Sequence, residues 1–154
     1  MRAVTSRDSV ASCIATMEHL KWKALPPMKT TTLLCVDDDP QVRNFYSLMF
    51  GSYGYEVLTS GNGRQALKLF HCHEHEISAV ISDYDMPEMN GAELAAELKR
   101  FNPMLPIIMV SGSQPVLEEA LHFVDASVEK GSSITLFLDQ VENLLNRSPE
   151  LASA

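Results

Sequence analysis

Short apolar runs alternate with amphipathic stretches along most of this chain. Five runs have the length of a β-strand, and each is followed by a segment whose apolar residues recur with helical spacing. The predicted strands are residues 32–36, 56–60, 79–82, 106–110 and 126–128. Nearly continuous apolar strands are typical of a sheet that is buried on both faces.

The segments between the strands carry helix start signals and one apolar face each. Asp39 is a candidate N-cap before Pro40, because proline suits the first turn of a helix, and Asn62 is a candidate N-cap for the second helix. The predicted apolar faces are Val42, Phe45, Tyr46 and Met49; Ala66, Leu67, Leu69 and Phe70; Leu94, Leu98 and Phe101; Leu117, Ala120, Leu121 and Val124; and Ile134, Phe137, Leu138, Val141 and Leu145. This alternation predicts an α/β fold, a doubly wound parallel sheet with right-handed crossovers and helices on both faces.

Polar side chains stand at the carboxyl ends of the predicted strands. Asp37 and Asp38 follow the first strand, Asp83 the third and Ser111 the fourth, while Lys130 lies shortly after the fifth. Ligands of such sheets bind at this edge, near the switch in strand order. Loops are polar in general, but that alone predicts mixed residue types rather than three acids, a hydroxyl and a lysine. A carboxylate at such a strand end can act as a nucleophile when a cation and a positive side chain attend it.

Composition narrows the class of protein. With 154 residues, 45% hydrophobic and 21% charged, the chain suits one globular domain with short additions. A net charge of -8 argues against nucleic acid as a direct partner. No apolar run reaches the ~20 residues of a membrane span, so we expect no membrane insertion. The three cysteines are too scattered for a disulfide framework, which favours a cytoplasmic location.

Four pieces of the chain, in order and spacing, resemble the receiver domain of bacterial response regulators. They are residues 33–40, Asp83 with Met86-Pro87 and Gly91, residues 106–111, and Lys130. The resemblance covers roughly residues 29–147 and implies a flavodoxin-like sheet of five strands in the order 2-1-3-4-5, with five helices. It also implies a two-component phosphorelay, in which Asp83 accepts a phosphoryl group from a sensor histidine kinase or a histidine phosphotransfer protein.

The resemblance further implies a metal ion. Asp38 and Asp83 would be direct ligands of Mg²⁺, Asp37 would act through water, and the backbone carbonyl of Asp85 would complete the protein's share. Magnesium prefers such oxygen ligands, and Mn²⁺ is the alternative ion.

Two further residues complete the implied site. Lys130 and Ser111 would contact phosphoryl oxygens, since phosphoryl transfer depends mainly on positioning and charge neutralisation. Phosphorylation would then alter binding of a downstream protein through the face formed by helix 4, strand 5 and helix 5. A weak homodimer is a further expected partner.

Three features depart from the family pattern. Ser127 stands where the family usually has an aromatic residue, so the expected switch through Ser111 and Ser127 differs from the usual swing of a ring. Gly131 replaces the usual proline after Lys130, and the segment between Ser111 and Lys130 is shortened. Asp85 lies two residues past Asp83, where a carboxylate could repel or orient the water that hydrolyses an aspartyl phosphate.

Two other functions stay open at this point. One is a pseudo-receiver that binds a partner without phosphorylation. The other is a phosphatase of the haloacid dehalogenase type, because Asp83 and Asp85 resemble the nucleophile and acid of that family. Its metal-binding acids would follow the lysine, whereas Asp37 and Asp38 lie upstream, so we expect no enzyme.

Two segments fall outside these patterns. His71 and His75 share a predicted helix face, which suits either a zinc or nickel site or a plain polar C-terminal turn. Residues 1–28 form an N-terminal extension, helical or disordered, for which we expect no essential role. Residues 148–154 form a tail too short for an output domain, which favours a stand-alone receiver.

Overall fold

The structure is a computed structural model that describes residues 30–112, 116 and 118–147. Its strands are β1 (Thr32–Val36), β2 (Glu56–Ser60), β3 (Ile77–Asp83), β4 (Ile107–Ser111) and β5 (Ala126–Glu129). All neighbouring strands pair in parallel, in the order β2-β1-β3-β4-β5. The predicted sheet and its strand order are therefore confirmed. The predicted N-terminal extension and tail lie outside the described residues.

Three of the described helices begin at short polar side chains that cap free backbone amides. They are α1 (Pro40–Ser52), α2 (Gly63–Cys72), α3 (Gly91–Phe101), α4 (Glu118–Leu121) and α5 (Ile134–Arg147). The side chain of Asp39 accepts a hydrogen bond from the Gln41 amide, and that of Asn62 accepts one from the Gln65 amide, both at 2.8 Å. Both predicted N-caps are thus confirmed. Asn90 caps α3 and exchanges hydrogen bonds with Glu93 in a capping box.

The core lies on both faces of the sheet. Leu33 and Cys35 of β1 point to the side covered by α1 and α5, whereas Leu34 and Val36 point to the side covered by α2 and α3. Successive strand residues face opposite sides, so a strand between two helical layers must be apolar throughout. All five residues of β1 are buried accordingly.

The buried face of α1 is displaced from the predicted one. Phe50 is fully buried and packs edge-on against Phe137, with ring centroids 5.4 Å apart, whereas Phe45 is 46% exposed. The predicted spacing through Val42, Tyr46 and Met49 is correct. Phe45 and Phe50 lie on either side of the helix face that these three residues form. The position of α5 decides which of the two is covered, and periodicity along one helix does not contain this information.

Several other predicted core positions face solvent. Phe101 is 57% exposed, Ile134 45% and Leu121 48%. The ring of His71 meets Phe101 edge-on at 4.4 Å, which suits the plain polar helix end better than a metal site. The described part of α4 is a single turn, and the predicted Leu117 lies outside the described residues. Among the helices that the structure describes, none is long and apolar enough to span a bilayer.

Candidate functional site

Three carboxylates converge at the carboxyl ends of β1 and β3. Val36 of β1 pairs with Ser82 of β3, so the next residue along each chain segment, Asp37 or Asp83, lies at the same level of the sheet. Carboxylate oxygens of Asp37, Asp38 and Asp83 lie within 4.8 Å of one another. Asp37 and Asp83 are buried, and Asp38 is exposed. The structure therefore brings together the three predicted acids.

Lys130 supplies the positive charge at this cluster. Its Nζ lies 2.9 Å from Oδ2 of Asp83 and 3.8 Å from Oδ2 of Asp37. Partial burial lowers the pKa of Lys130, but the hydrogen bond to Asp83 and the surrounding carboxylate charges outweigh it, and the net pKa is raised. The lysine is therefore charged at neutral pH and held against the central carboxylate.

Asp37 contains a buried oxygen that lacks a hydrogen bond. Its Oδ1 accepts from the Asp39 amide at 2.9 Å, whereas Oδ2 has no hydrogen-bond partner among the described residues. Burial raises the pKa of Asp37 and the charge of Asp83 raises it further, although the Asp39 amide and Lys130 act in the opposite direction. A buried carboxylate oxygen without a hydrogen bond is costly unless a cation meets it, and Lys130, 3.8 Å from Oδ2, is too far away to donate one. Together with the neighbouring acid oxygens, it fits a hard divalent cation such as Mg²⁺.

The crowding of acids predicts a stability effect of Asp37→Asn. A carboxyl whose pKa is raised by folding destabilises the folded state once it is ionised, and this cost is absent below its unfolded pKa and complete above its folded pKa. At pH 7.5 in EDTA, we therefore expect Asp37→Asn to raise the free energy of unfolding by about 1 kcal/mol, measured by urea denaturation. Asp139→Asn, which removes an exposed acid on α5, is the matched control. Equal or lower stability of Asp37→Asn would contradict the prediction.

Ser111 and Lys130 are joined through the backbone at the ends of β4 and β5. The amide of Lys130 donates to the carbonyl of Ser111 at 2.7 Å. Ser111 is 8% exposed, and its hydroxyl makes no hydrogen bond within the described part of the chain. Ser127 is exposed on β5 while Val128 is buried, so its side chain points away from the core covered by Val128. The structure thus links Ser111 to Lys130 at the end of the sheet, whereas Ser127 lies exposed on β5.

The loop between β3 and α3 approaches the site closely. The amide of Asp85 lies 3.4 Å from Oδ1 of Asp83, and the side chain of Asp85 is exposed. Gly91 begins α3 directly against the backbone of this loop, where its amide donates to the carbonyl of Tyr84 at 2.9 Å. Glu88, in the middle of the loop, has a φ of 67°.

The left-handed backbone at Glu88 predicts a stabilising substitution. A left-handed backbone conformation costs a residue with a Cβ roughly 1–2 kcal/mol of stability. Asparagine tolerates this conformation better than glutamate, because its short polar side chain forms hydrogen bonds with the nearby backbone. We expect Glu88→Asn to raise the free energy of unfolding by about 0.5–1 kcal/mol in urea denaturation. Glu88→Val, which is β-branched, should lower it. The reverse order of the two variants would contradict the argument.

One contact at the site was missed by the reasoning from sequence. Nη1 of Arg43 donates to the backbone carbonyls of Asp37 at 2.7 Å and of Asp38 at 3.0 Å. A signal was available, because Arg43 lies near the start of α1, where the helix dipole disfavours a positive charge. A cation in such a place indicates a compensating contact.

A doubly wound sheet of this strand order with three acids and a lysine at one edge defines the receiver class. Residues 33–130 match the model of the response regulator receiver domain, and the chain belongs to that family. The predicted family is confirmed.

Individual proteins show the same likeness. The transcriptional regulatory protein GlrR of Escherichia coli (strain K12) is 37% identical over 89 residues, which are 56% of this chain and 20% of GlrR. The sensor kinase CckA of Brucella abortus (strain 2308) is 34% identical over 111 residues, which are 72% of this chain and 12% of CckA. The chain thus spans a minor part of these relatives.

One similar structure was solved with Mg²⁺ and BeF bound. The response regulator protein TrrA of Thermotoga maritima, in complex with Mg²⁺ and BeF, has a TM-score of 0.70 and 28% sequence identity. The match covers 75% of this chain and 99% of that one.

Proposed function

We propose that this protein is a magnesium-dependent phosphoacceptor in a two-component phosphorelay, with Asp83 as the acceptor. The observation that carries the proposal is the buried Asp83 carboxylate, paired with Lys130 at 2.9 Å and flanked by two further acids. The magnesium–beryllofluoride complex of TrrA supports the metal, because beryllofluoride mimics a phosphoryl group and Mg²⁺ accompanies it there. A sensor histidine kinase or a histidine phosphotransfer protein is the proposed donor, and the cytoplasm is the proposed location.

The proposed reaction is a single displacement at phosphorus. A carboxylate oxygen of Asp83 attacks the phosphorus of a phosphohistidine and forms a new O–P bond. The P–N bond breaks, and its electron pair stays on the departing imidazole nitrogen. Lys130 and the Ser111 hydroxyl would neutralise and orient the phosphoryl oxygens, and these two effects supply most of the catalysis in phosphoryl transfer.

The proposed ligands of Mg²⁺ are Asp38 and Asp83 directly, Asp37 through water and the backbone carbonyl of Asp85. When bound, the ion would offset the repulsion among the acids and polarise a phosphoryl oxygen. Mn²⁺ shares the preference for oxygen ligands and can be compared in the same assays.

The proposed readout begins at the junction of β4 and β5. Phosphorylation adds about one to two negative charges and strong hydrogen-bond acceptors beside Lys130 and Ser111. These two residues are linked through their backbones at 2.7 Å, so a shift of either moves the end of β5. This shift would change the affinity of the face of α4, β5 and α5 for a downstream protein, or for a second copy of the chain in a weak homodimer. Ser127, exposed on that face, would contact such a partner instead of swinging inward.

Incubation with acetyl phosphate separates this function from the two alternatives. A receiver should give a phosphorylated species by intact mass in Mg²⁺ and none in EDTA, and bind beryllofluoride under the same conditions. Steady release of phosphate from phosphate esters would favour the phosphatase instead. Absence of phosphorylation, beryllofluoride binding and turnover would favour the pseudo-receiver.

Asp85→Asn should shorten the lifetime of the phosphorylated form. The transition state of hydrolysis is negatively charged, and Asp85 adds a negative charge to the loop beside it, where the Asp85 amide lies 3.4 Å from Oδ1 of Asp83. Two unit charges about 4 Å apart in water interact by about 1 kcal/mol, so hydrolysis should become roughly fivefold faster. Decay can be followed by intact mass after removal of acetyl phosphate. Glu88→Gln removes an acid from the same loop as a control. An unchanged or longer lifetime in Asp85→Asn would contradict repulsion.

A further inference from the structure

We propose that Arg43 is a positioning residue for the metal site, which it serves by holding the backbone that carries Asp37 and Asp38. The proposal rests on the function proposed above. Nη1 of Arg43 donates to both backbone carbonyls, at 2.7 and 3.0 Å. Hydrogen bonds from a charged donor are stronger than neutral ones, so this one nitrogen fixes two consecutive peptide groups.

The segment that Arg43 holds has its other hydrogen bonds at its two ends, where the Asp39 amide donates to Oδ1 of Asp37 and the Asp39 side chain caps α1. Residues 37–39 lie between β1 and α1 and belong to neither. The amide of Asp37 donates to the carbonyl of Ser60 at 3.1 Å, which extends the sheet by one residue. The carbonyl of Asp38 has Arg43 as its side-chain partner within the described residues. Asp38 is also the exposed member of the acid cluster, so its direction depends most on this loop.

The surroundings of Arg43 are shaped to admit its guanidinium. A Cβ added to Gly61 would lie 3.2 Å from Nη1 and 3.5 Å from Cζ of Arg43. The guanidinium therefore lies between the loop after β1 and the loop after β2, and glycine at position 61 leaves room for it. Arg43 is also placed where the dipole of α1 opposes its charge, a cost that its two carbonyl contacts offset.

This contact affects the metal site because the acids repel one another. Without a cation, the charges of Asp37, Asp38 and Asp83 favour an opened loop. When Arg43 holds the loop closed, the carboxylate oxygens of the three acids stay within 4.8 Å of one another. Metal binding then costs less conformational entropy, because the loop is already ordered. Loss of Arg43 should therefore weaken magnesium binding although Arg43 itself touches no metal-binding oxygen.

Titration of the metal-free full chain with Mg²⁺, followed by amide NMR shifts, tests the proposal. Changes in the residues that support metal ligands typically lower affinity 10–100-fold, and we expect about a tenfold loss for Arg43→Met. Arg43→Lys, which keeps the charge but reaches the carbonyls less well, should lie between wild type and Arg43→Met. Arg64→Met removes an exposed charge from the first turn of α2, and should bind like wild type. Urea denaturation in EDTA shows that each variant is folded.

A double-mutant cycle with Gly61→Ala separates positioning from a general structural effect. Gly61→Ala should weaken magnesium binding slightly in the wild-type background, because the added Cβ would shift the guanidinium by a few tenths of an ångström, and it should have no effect in Arg43→Met. Wild-type affinity in Arg43→Met, or an equal loss in Arg64→Met, would overturn the role of Arg43. If Arg43→Met does not fold, the magnesium affinities of Arg43→Lys and Gly61→Ala replace it, and wild-type affinity in both would overturn the role of Arg43. Failure of the wild type to bind Mg²⁺ would instead overturn the proposed function.

Discussion

Asp83→Asn should abolish phosphorylation by acetyl phosphate in Mg²⁺. Asparagine nearly matches the shape of aspartate, so the variant should fold, but its amide oxygen is a poor nucleophile and a weaker ligand for a divalent cation. The substitution also removes the anion that Lys130 contacts at 2.9 Å. Intact mass measured over the time that saturates the wild type gives the result.

The matched control for Asp83→Asn is Asp139→Asn, which makes the same chemical change at an exposed position on α5. It should be phosphorylated at the wild-type rate. Undiminished phosphorylation of folded Asp83→Asn would place the acceptor elsewhere in the chain. Denaturation curves of both variants establish that loss of the label does not reflect unfolding.

Gly91→Ala should lower the free energy of unfolding by about 3 kcal/mol, at the upper end of the usual cost of overpacking. A Cβ at this position would overlap the backbone carbonyl oxygen of Asp83 and lie 2.6 Å from the sulfur of Met109. The sulfur can move, but the carbonyl belongs to β3 and cannot. Accommodation would therefore displace α3 or the end of the strand that presents Asp83.

Gly51 provides a control for the effect of alanine itself. It lies within α1, and a Cβ there would meet nothing within 4 Å. Gly51→Ala should raise the free energy of unfolding by about 0.5–1 kcal/mol, because alanine suits a helix better than glycine. Urea denaturation of both variants under identical conditions makes the comparison. Wild-type stability of Gly91→Ala would show that the close approach of α3 to β3 is unnecessary.

The sequence was sufficient to predict the sheet and the acids of the site. Parallel strands end at one edge, so the acids after the first and third predicted strands had to meet if those strands were neighbours. The strand order that makes them neighbours came from the resemblance to receiver domains, and the structure agrees with it. Local signals such as Asp39 before Pro40 predicted the helix starts correctly, because capping involves residues close in sequence.

Features that depend on contacts between distant elements were not predictable in this way. The burial of Phe50 depends on where α5 lies over α1, and the exposure of Ser127 depends on which face of β5 the helices cover. The contacts of Arg43 are with backbone carbonyls, which carry no signature in the sequence. The Asp37 oxygen that lacks a hydrogen bond likewise follows from the path of one loop.

The acid cluster and the proposed readout surface therefore depend on different parts of the fold. The acids and Lys130 form one compact cluster, in which the positions follow from strand register and from the contacts among these side chains. The readout depends on the short α4 and on β5, an edge strand whose exposed residues include Ser127. Among the described residues, the Ser111–Lys130 backbone hydrogen bond directly connects the two.

Chemical mapping of the phosphorylated residue tests the central claim most directly. The wild-type protein would be treated with acetyl phosphate and Mg²⁺, then with borohydride, which reduces an aspartyl phosphate to homoserine, and the digested peptides would be sequenced by mass spectrometry. We expect homoserine at position 83 and unmodified aspartate at positions 37, 38 and 85. Homoserine at another of these positions, or phosphate on a histidine with Asp83 unmodified, would contradict it.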